Sequence, residues 1–225
     1  MKMKQKLIAG AVALSAMAGF SVPAAYAEVS ASVGLANMYY WRGYDLGGGA
    51  ALSADVNYSV AGFTVGAWTS SGDEAWGTEY DLYAGYAIDL GPVSLGAGYI
   101  SYNYADIDVG PGDFAEVYAS AGVGPFKVTY YDNVANTEYM TYGDEGEVIV
   151  NGVGYDDYNY VTAELNFEHF GIKYGLHEDD AAHLDLTYKF NDKLSFTYGQ
   201  MVDDNDGGDV ESDGKFIVSL SLPIE

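Results

Sequence analysis

From Glu28 onward, apolar and polar residues alternate in about twelve short runs. A period of two residues is typical of β-strands, because successive side chains point to opposite faces. The connections alternate as well, since a tight turn is followed by a longer acidic loop and then by another tight turn. Transmembrane β-barrels have this organisation. The sequence therefore predicts an all-β fold, a transmembrane antiparallel up-and-down β-barrel of about twelve strands. The first strand is expected near residues 29–42, with Tyr39 and Trp41 on its apolar face. Ala61-Gly62 is expected to form a two-residue turn, and residues 70–78 and 103–113 are expected to form loops.

The N-terminal segment has the organisation of a secretory signal peptide. Lysines at positions 2, 4 and 6 precede an apolar segment, Leu7 to Phe20, that is too short to cross a bilayer as a helix. The tripeptide Ala25-Tyr26-Ala27 fits the small-x-small cleavage pattern. We therefore expect residues 1–27 to be a cleaved signal and residues 28–225 to form one barrel in the bacterial outer membrane.

Composition excludes several classes of function. The chain has no cysteine, which removes disulfides, thiolate metal sites and cysteine nucleophiles. Its formal net charge of -24 becomes -27 once the three lysines of the signal are removed. A surface this negative disfavours nucleic acid as a partner. We expect no cofactor, and we expect small polar solutes and the lipid and lipopolysaccharide of the outer membrane as partners. The sequence assigns no oligomeric state.

Alternation alone does not say whether the apolar face meets lipid or fills the centre of a soluble, lipocalin-like barrel. The scarcity of charge on the polar face favours lipid outside, because a solvated exterior carries charge at about a quarter to a third of its positions. The polar face holds only eleven charged residues over twelve strands, and these are the predicted pore-lining residues: Arg42, Asp55, Glu79, Asp81, Glu116, Lys127, Glu164, Lys173, Asp185, Lys189 and Lys215.

The distribution of acidic and aromatic residues also favours lipid outside the barrel. Of the 33 acidic residues, 22 fall in the six longer loops, which predicts an acidic rim around a nearly neutral lumen. Apolar-face aromatics gather at strand ends, as in the two interfacial girdles of membrane barrels. Those near loops are Tyr39, Trp41 and Tyr80, and those near turns are Tyr58, Phe63, Phe126, Phe167, Phe170, Phe190 and Phe196.

A lumen of this composition has two interpretations. Inward-facing glycines would leave room for water, and opposed charges would set a transverse field at a constriction, as in a porin. Alternatively, the charges neutralise one another and plug the lumen. The acidic rim could concentrate cations or zwitterions by focusing the field. It could equally reflect a salty habitat or divalent bridges to lipopolysaccharide.

Metal binding and catalysis have weaker support. The acidic segment from Asp203 to Asp209 fails the EF-hand spacing, because Gly207 occupies a ligand position. His177 and His183 flank an acidic loop and could hold a metal across a hairpin. Neither has a Gly-x-Ser-x-Gly elbow nearby, so we predict no metal site and no enzyme. A structural or adhesive barrel without conductance remains the alternative function.

Several segments resemble a known family. They are Ala31–Leu35 (ASVGL), Tyr40–Gly43 (YWRG), Gly62–Trp68 (GFTVGAW), Glu79–Tyr86 (EYDLYAGY), Tyr99–Tyr104 and Glu116–Tyr118. Together they are similar to the N-terminal half of the TorF-type porin family of proteobacteria. The resemblance implies an outer-membrane barrel that passes small solutes, with trimethylamine N-oxide uptake proposed for the naming member. It brings no catalytic residues, and Arg42, Glu79 and Asp81 match its motif positions. We expect conductance with a mild cation preference that Asp81→Ala reduces.

Overall fold

A computed structural model of the protein describes residues 27–47, 49–74, 76–107, 109–136, 140–142, 148–150, 158–178, 180–203 and 213–224. Residues 1–26 of the expected signal peptide lie outside the described residues, and so do residues 204–209 of the acidic segment. Within the described ranges the helical structure is a single 3-10 turn at Ala105–Ile107, and no helix there has the length and hydropathy needed to span a membrane.

The described residues form sixteen strands. In chain order they are β1 (Glu28–Ala36), β2 (Tyr39–Trp41), β3 (Tyr44–Gly47), β4 (Ala51–Val60), β5 (Phe63–Asp73), β6 (Gly77–Leu90), β7 (Val93–Tyr104), β8 (Val109–Val123), β9 (Phe126–Asn136), β10 (Met140–Tyr142), β11 (Val148–Val150), β12 (Asn159–Asn166), β13 (Phe170–His177), β14 (Ala182–Lys189), β15 (Leu194–Asp203) and β16 (Lys215–Ile224).

Twelve of these strands close into one antiparallel barrel, which confirms the predicted fold. The order around the ring is β1-β16-β15-β14-β13-β12-β9-β8-β7-β6-β5-β4. Closure comes from β1, where Leu35 pairs with Leu220 of β16 on one side and with Leu52 of β4 on the other. The remaining four strands form two separate hairpins, β2–β3 and β10–β11. A closed ring leaves no unpaired strand edge, which a bilayer requires.

The apolar face of the strands points outward. Val29, Leu52, Phe63 and Phe170 expose 71%, 60%, 61% and 59% of their surface, whereas most polar side chains on the opposite face are half-buried or buried. A soluble barrel would bury these apolar side chains, so the lipocalin-like alternative does not apply. An outer surface of this kind is the apolar band that membrane barrels present to hydrocarbon.

Tight turns join the strands at one end of the barrel, here called the turn end. Ala61 and Gly62 connect β4 to β5 with φ values of 48° and 98°, the left-handed pair of a type I′ turn. This two-residue turn is the one predicted from sequence. The opposite, loop end departs from prediction, because residues 70–78 and 103–113, expected as loops, are mostly strand. β5 continues to Asp73, and β8 begins at Val109, since ladder pairing there outweighs a turn-like composition.

The first predicted strand is too long. We expected it to run to Arg42, with Tyr39 and Trp41 facing lipid, but β1 ends at Ala36 and Tyr39 is only 1% exposed. Arg42 and Gly43 have φ values of 47° and 96°, so the chain reverses there in a second tight turn. The prediction was therefore wrong for Tyr39 and Trp41. The aromatics expected near turns lie on the outward face, and those that are exposed are Tyr58, Phe63, Phe126, Phe167, Phe170 and Phe190.

Because the apolar face points outward, a charge placed on it should lower the free energy of unfolding by an amount that depends on its position along the strand. Leu186, at the middle of β14, exposes 46% of its surface on the outer face. Leu186→Arg should lower the free energy of unfolding in lipid vesicles by about 2–4 kcal/mol, because the charge would lie near the bilayer midplane. Val29→Arg, at the strand end, should cost about 0–1 kcal/mol. Denaturant unfolding of both variants measures this, and equal costs would contradict the orientation.

Candidate functional site in the barrel lumen

The β2–β3 hairpin, residues 39–47, lies inside the barrel and is here called the lumenal hairpin. The Tyr39 hydroxyl donates a hydrogen bond to Glu79 of β6, and its ring stacks on Trp68 with centroids 6.3 Å apart. The Tyr40 hydroxyl donates to Asp185 of β14 at 2.6 Å. In the closed ring β6 and β14 lie on opposite sides. The hairpin therefore crosses the lumen from wall to wall.

At the hairpin turn, Arg42 enters a pocket of the barrel wall. Its two terminal nitrogens donate to the two carboxylate oxygens of Glu116 at 2.9 and 2.6 Å. The guanidinium carbon lies 4.3 Å from the ring centroid of Tyr160 and 4.8 Å from that of Tyr131. Arg42 is 8% exposed and Glu116 is fully buried. Bidentate pairing and stacking on aromatic faces are the two interactions that arginine makes best.

Two tyrosines complete this pocket. The Tyr102 hydroxyl donates to Glu116 Oε2 at 2.9 Å, and the Tyr158 hydroxyl lies 3.3 Å from Arg42 Nη1. Burial of the Tyr158 phenol, which lies outside the spanning strands, raises its pKa to about 12, so it stays neutral at physiological pH. We call this pocket the arginine cage, and it consists of Tyr102, Glu116, Tyr131, Tyr158 and Tyr160.

Both histidines expected to flank a loop hold the hairpin and the cage. His177 Nε2 lies 2.9 Å from the carbonyl oxygen of Arg42, and its Nδ1 lies 2.8 Å from the Tyr158 hydroxyl. His183 Nε2 lies 2.6 Å from the Tyr160 hydroxyl, and its Nδ1 lies 3.0 Å from Asp185. All four ring nitrogens are therefore engaged within the protein. The residues that the structure describes contain no cluster of three or more potential ligands arranged for a metal ion.

A layer of aromatic residues surrounds the hairpin. Lumenal glycines, expected to leave room for water, instead accommodate rings: Gly66 faces the Tyr83 ring and Gly199 faces the Tyr40 ring. The packed cluster consists of Tyr39, Ala51, Trp68, Tyr83, Ile100, Tyr102, Tyr104, Tyr118, Tyr131 and Tyr160. The loop half of the lumen is thus filled by side chains.

Glu79 and Asp81, both matched by the family resemblance, lie inside this packed layer. Glu79 is 1% exposed and accepts the Tyr39 hydroxyl, and Asp81 is fully buried. Neither carboxylate oxygen of Asp81 has a hydrogen-bond partner among the described residues. Both side chains point inward as expected, but they are enclosed by protein.

Charged side chains on β9, β12, β13 and β14 lie directly opposite one another in the strand ladder. They form a row across the inner wall, here called the charge row. Lys127 of β9 pairs with Glu164 of β12, which pairs with Lys173 of β13, which pairs with Asp185 of β14. One strand further, Gly199 links the row to Lys215 at the start of β16. The signs alternate, and Lys173 Nζ lies 3.4 Å from Asp185. Because Lys127 follows a tight turn and Lys215 follows a loop, this charge row climbs the full height of the wall.

All eleven predicted pore-lining residues lie on the inner side of the barrel, but in two environments. Arg42, Glu79, Asp81, Glu116 and Asp185 are buried in the packed half. The others are half-buried and lie along the wall: Asp55, Lys127, Glu164, Lys173, Lys189 and Lys215. Asp55 accepts a hydrogen bond from the Tyr83 hydroxyl at 2.7 Å. That these eleven residues line a pore stays a prediction.

Sequence reasoning missed the hairpin and every aromatic member of the cage. The sequence does contain a signal for the hairpin. Arg42-Gly43 separates the aromatic run Tyr39–Trp41 from Tyr44, as a two-residue turn between two strands should. The cage tyrosines of the strands, Tyr102, Tyr131 and Tyr160, alternate on the polar face, where tyrosine was interpreted as fitting a crowded polar lumen. No local pattern says that they converge on one arginine.

Removing the arginine tests how the hairpin is held. Arg42→Ala leaves the buried Glu116 carboxylate unpaired, which should cost about 3–5 kcal/mol in unfolding free energy. Lys193→Ala, in an exposed turn, should cost less than about 1 kcal/mol. Denaturant unfolding compares the two variants, and a cost for Arg42→Ala as small as for Lys193→Ala would show that the pair does not hold the hairpin.

Comparison with known proteins places the chain in a family. Residues 21–192 match the family described as bacterial protein of unknown function (Gcw_chp), and no curated protein sequence matches. This match does not test the similarity to the TorF-type porins, which stays a resemblance. A structure solved for "Unveiling the Mechanism Behind the in-meso Crystallization of Membrane Proteins" shares the fold, with a TM-score of 0.54, 10% identity and coverage of 87% of this chain and 83% of the other.

Two other solved barrels are more distant. KdgM porin aligns with a TM-score of 0.44 at 9% identity, covering 88% of this chain and 99% of its own. Outer membrane phospholipase A from Escherichia coli aligns with a TM-score of 0.37 at 11% identity, covering 87% and 92%. The fold itself is carried by the closed twelve-strand ring and its apolar exterior. The chain therefore belongs to the bacterial Gcw_chp family, and it is a β-barrel of the bacterial outer membrane.

Proposed function

We propose that the protein is a channel for passive diffusion of small polar solutes, and that the lumenal hairpin sets its narrowest section. The observation that carries this proposal is the charge row. Burying charge costs desolvation energy, so a wall that served only packing would carry apolar or small polar residues instead. Here four of the five charged members of the row are half-buried rather than enclosed.

The turn half of the lumen supports the same conclusion. Its inner wall presents small polar side chains that keep part of their surface accessible: Ser32, Asn57, Ser94, Ser120 and Asn166. Such a wall can replace the hydration of a polar solute with hydroxyl and amide groups. This half is a vestibule that narrows toward the packed layer and the hairpin.

The class of solute follows from the charges on the wall and in the loops. A row of alternating sign offers a counter-charge to either end of a zwitterion at successive steps of its passage. The acidic loops add a negative potential that attracts cations. We therefore propose cations or zwitterions as solutes, with trimethylamine N-oxide, which the TorF resemblance implies, as one candidate.

The second candidate function is a non-conducting structural or adhesive barrel. The packed aromatic layer and the hairpin that joins opposite walls favour it, because together they leave the loop half filled. The two candidates differ in whether the hairpin can move aside, since passage through this half needs the Arg42–Glu116 pair to separate or water to pass beside it.

Single-channel recording on refolded protein decides between them. The wild type should show small conductance, and a variant in which residues 39–47 are replaced by a short Gly/Ser loop should conduct more, because the wall-to-wall obstruction is gone. Conductance scales with the open cross-section, so the increase should exceed about twofold for a hairpin that fills the narrowest section. No conductance in either protein would reject the channel and favour the structural barrel.

Two matched variants test how the charge row sets the preference of the channel for cations or anions. Glu164 and Lys127 are cross-strand neighbours on the accessible wall. Glu164→Gln should shift the reversal potential in a salt gradient toward anions, and Lys127→Gln should shift it toward cations, because each removes one fixed charge beside the path. The fully buried Asp81, which we expected to set the preference, serves as the control, and Asp81→Asn should change the reversal potential less than either. Shifts of the same sign in both wall variants would contradict a path along this wall.

A further inference from the structure

The arginine cage has the features of a ligand site that happens to be filled by the protein itself. We propose that it is a binding site for guanidinium-bearing solutes, occupied in the closed state by Arg42 and free when the hairpin withdraws. This inference rests on the proposed channel function for its biological setting, but the binding chemistry is carried by the cage alone.

The wall builds the cage without help from the hairpin. Tyr102, Glu116, Tyr131 and Tyr160 come from β7, β8, β9 and β12, four consecutive strands of the ring. Tyr131 and Tyr160 are direct cross-strand partners, with ring centroids 5.8 Å apart. Ladder pairing therefore fixes the backbone positions of these four residues, and the face to which their side chains point, whether or not Arg42 is present. Withdrawal of the hairpin would leave a carboxylate and two aromatic faces in the same arrangement.

The geometry selects a planar group with parallel N–H donors. Both oxygens of Glu116 are engaged by separate guanidinium nitrogens, and the Tyr102 hydroxyl holds one of these oxygens in place. Tyr131 and Tyr160 lie against the guanidinium within 5 Å of its central carbon. A quaternary ammonium can use the aromatic rings but has no N–H for the carboxylate, and a primary ammonium cannot donate in a parallel fork.

A tethered ligand has the advantage of a high effective concentration over any free solute. Arg42 is tethered to the wall by a short segment after β1, so its effective concentration at the cage is of millimolar order or higher. A free guanidinium compound must therefore compete with it, and binding should be weak in the wild type and stronger once Arg42 is removed. A solute that wins this competition would displace the turn of the hairpin and stabilise the open state.

Arg42→Ala in detergent, without any measurement of conductance, tests the site. Low-millimolar methylguanidinium should raise the thermal midpoint of Arg42→Ala, leave the wild type unchanged, and have no effect on Arg42→Ala/Glu116→Gln. Tetramethylammonium and methylammonium should bind Arg42→Ala at least about tenfold more weakly, the ratio expected when a charged hydrogen-bond pair is lost. Titration calorimetry gives the same comparison as dissociation constants.

Three results would overturn the proposal: equal stabilisation of the wild type and Arg42→Ala, equal effects of methylguanidinium and tetramethylammonium, or stabilisation that persists in the double variant. If Arg42→Ala does not fold alone, its refolding yield becomes the readout. Methylguanidinium should then restore refolding where tetramethylammonium does not, and failure to do so rejects the site. Binding to a barrel that does not conduct would separate this inference from the proposed channel.

Discussion

Hydrocarbon outside the barrel is the constraint on which the structure depends. A bilayer offers no hydrogen-bond partner to the backbone, so the strands must close into a ring and turn their apolar face outward. Because side chains alternate along each strand, the polar face then points into the lumen and carries its carboxylates and lysines there. The interior of this protein is therefore its polar core, and its hydrophobic face is its surface.

Polar groups inside the ring are stabilised in two ways. In the turn half they remain partly accessible, and along the charge row they face groups of opposite sign. In the loop half the hairpin supplies the partners of buried wall carboxylates. Arg42 neutralises Glu116, and the Tyr40 hydroxyl donates a hydrogen bond to Asp185. Tyrosine suits this layer, since its ring fills space beside lumenal glycines and its hydroxyl meets a carboxylate or histidine. Among the described residues the buried Asp81 is an exception, because its carboxylate oxygens have no such partner.

The sequence predicts the wall well and its contents poorly. Period-two alternation determines twelve strands and their lipid face because both are local properties of a strand in hydrocarbon. The turn at Ala61-Gly62 was recognisable for the same reason. Arg42-Gly43 has the same turn chemistry, yet the alternation of Tyr39 and Trp41 continues that of β1, so the hairpin was read as strand. The cage depends on residues from β7, β8, β9 and β12, and no short-range pattern encodes that convergence.

The position of the hairpin is the central claim, and the chain has no native cysteine to complicate its test. Tyr39→Cys introduces a thiol within the packed lumen, and Ala105→Cys introduces one at an exposed position between β7 and β8. The measurement is the rate of labelling by a bulky hydrophilic maleimide on the refolded barrel in vesicles. The account predicts rapid labelling at position 105 and strong protection at position 39. Equal rates at the two positions would place the hairpin outside the lumen and contradict it.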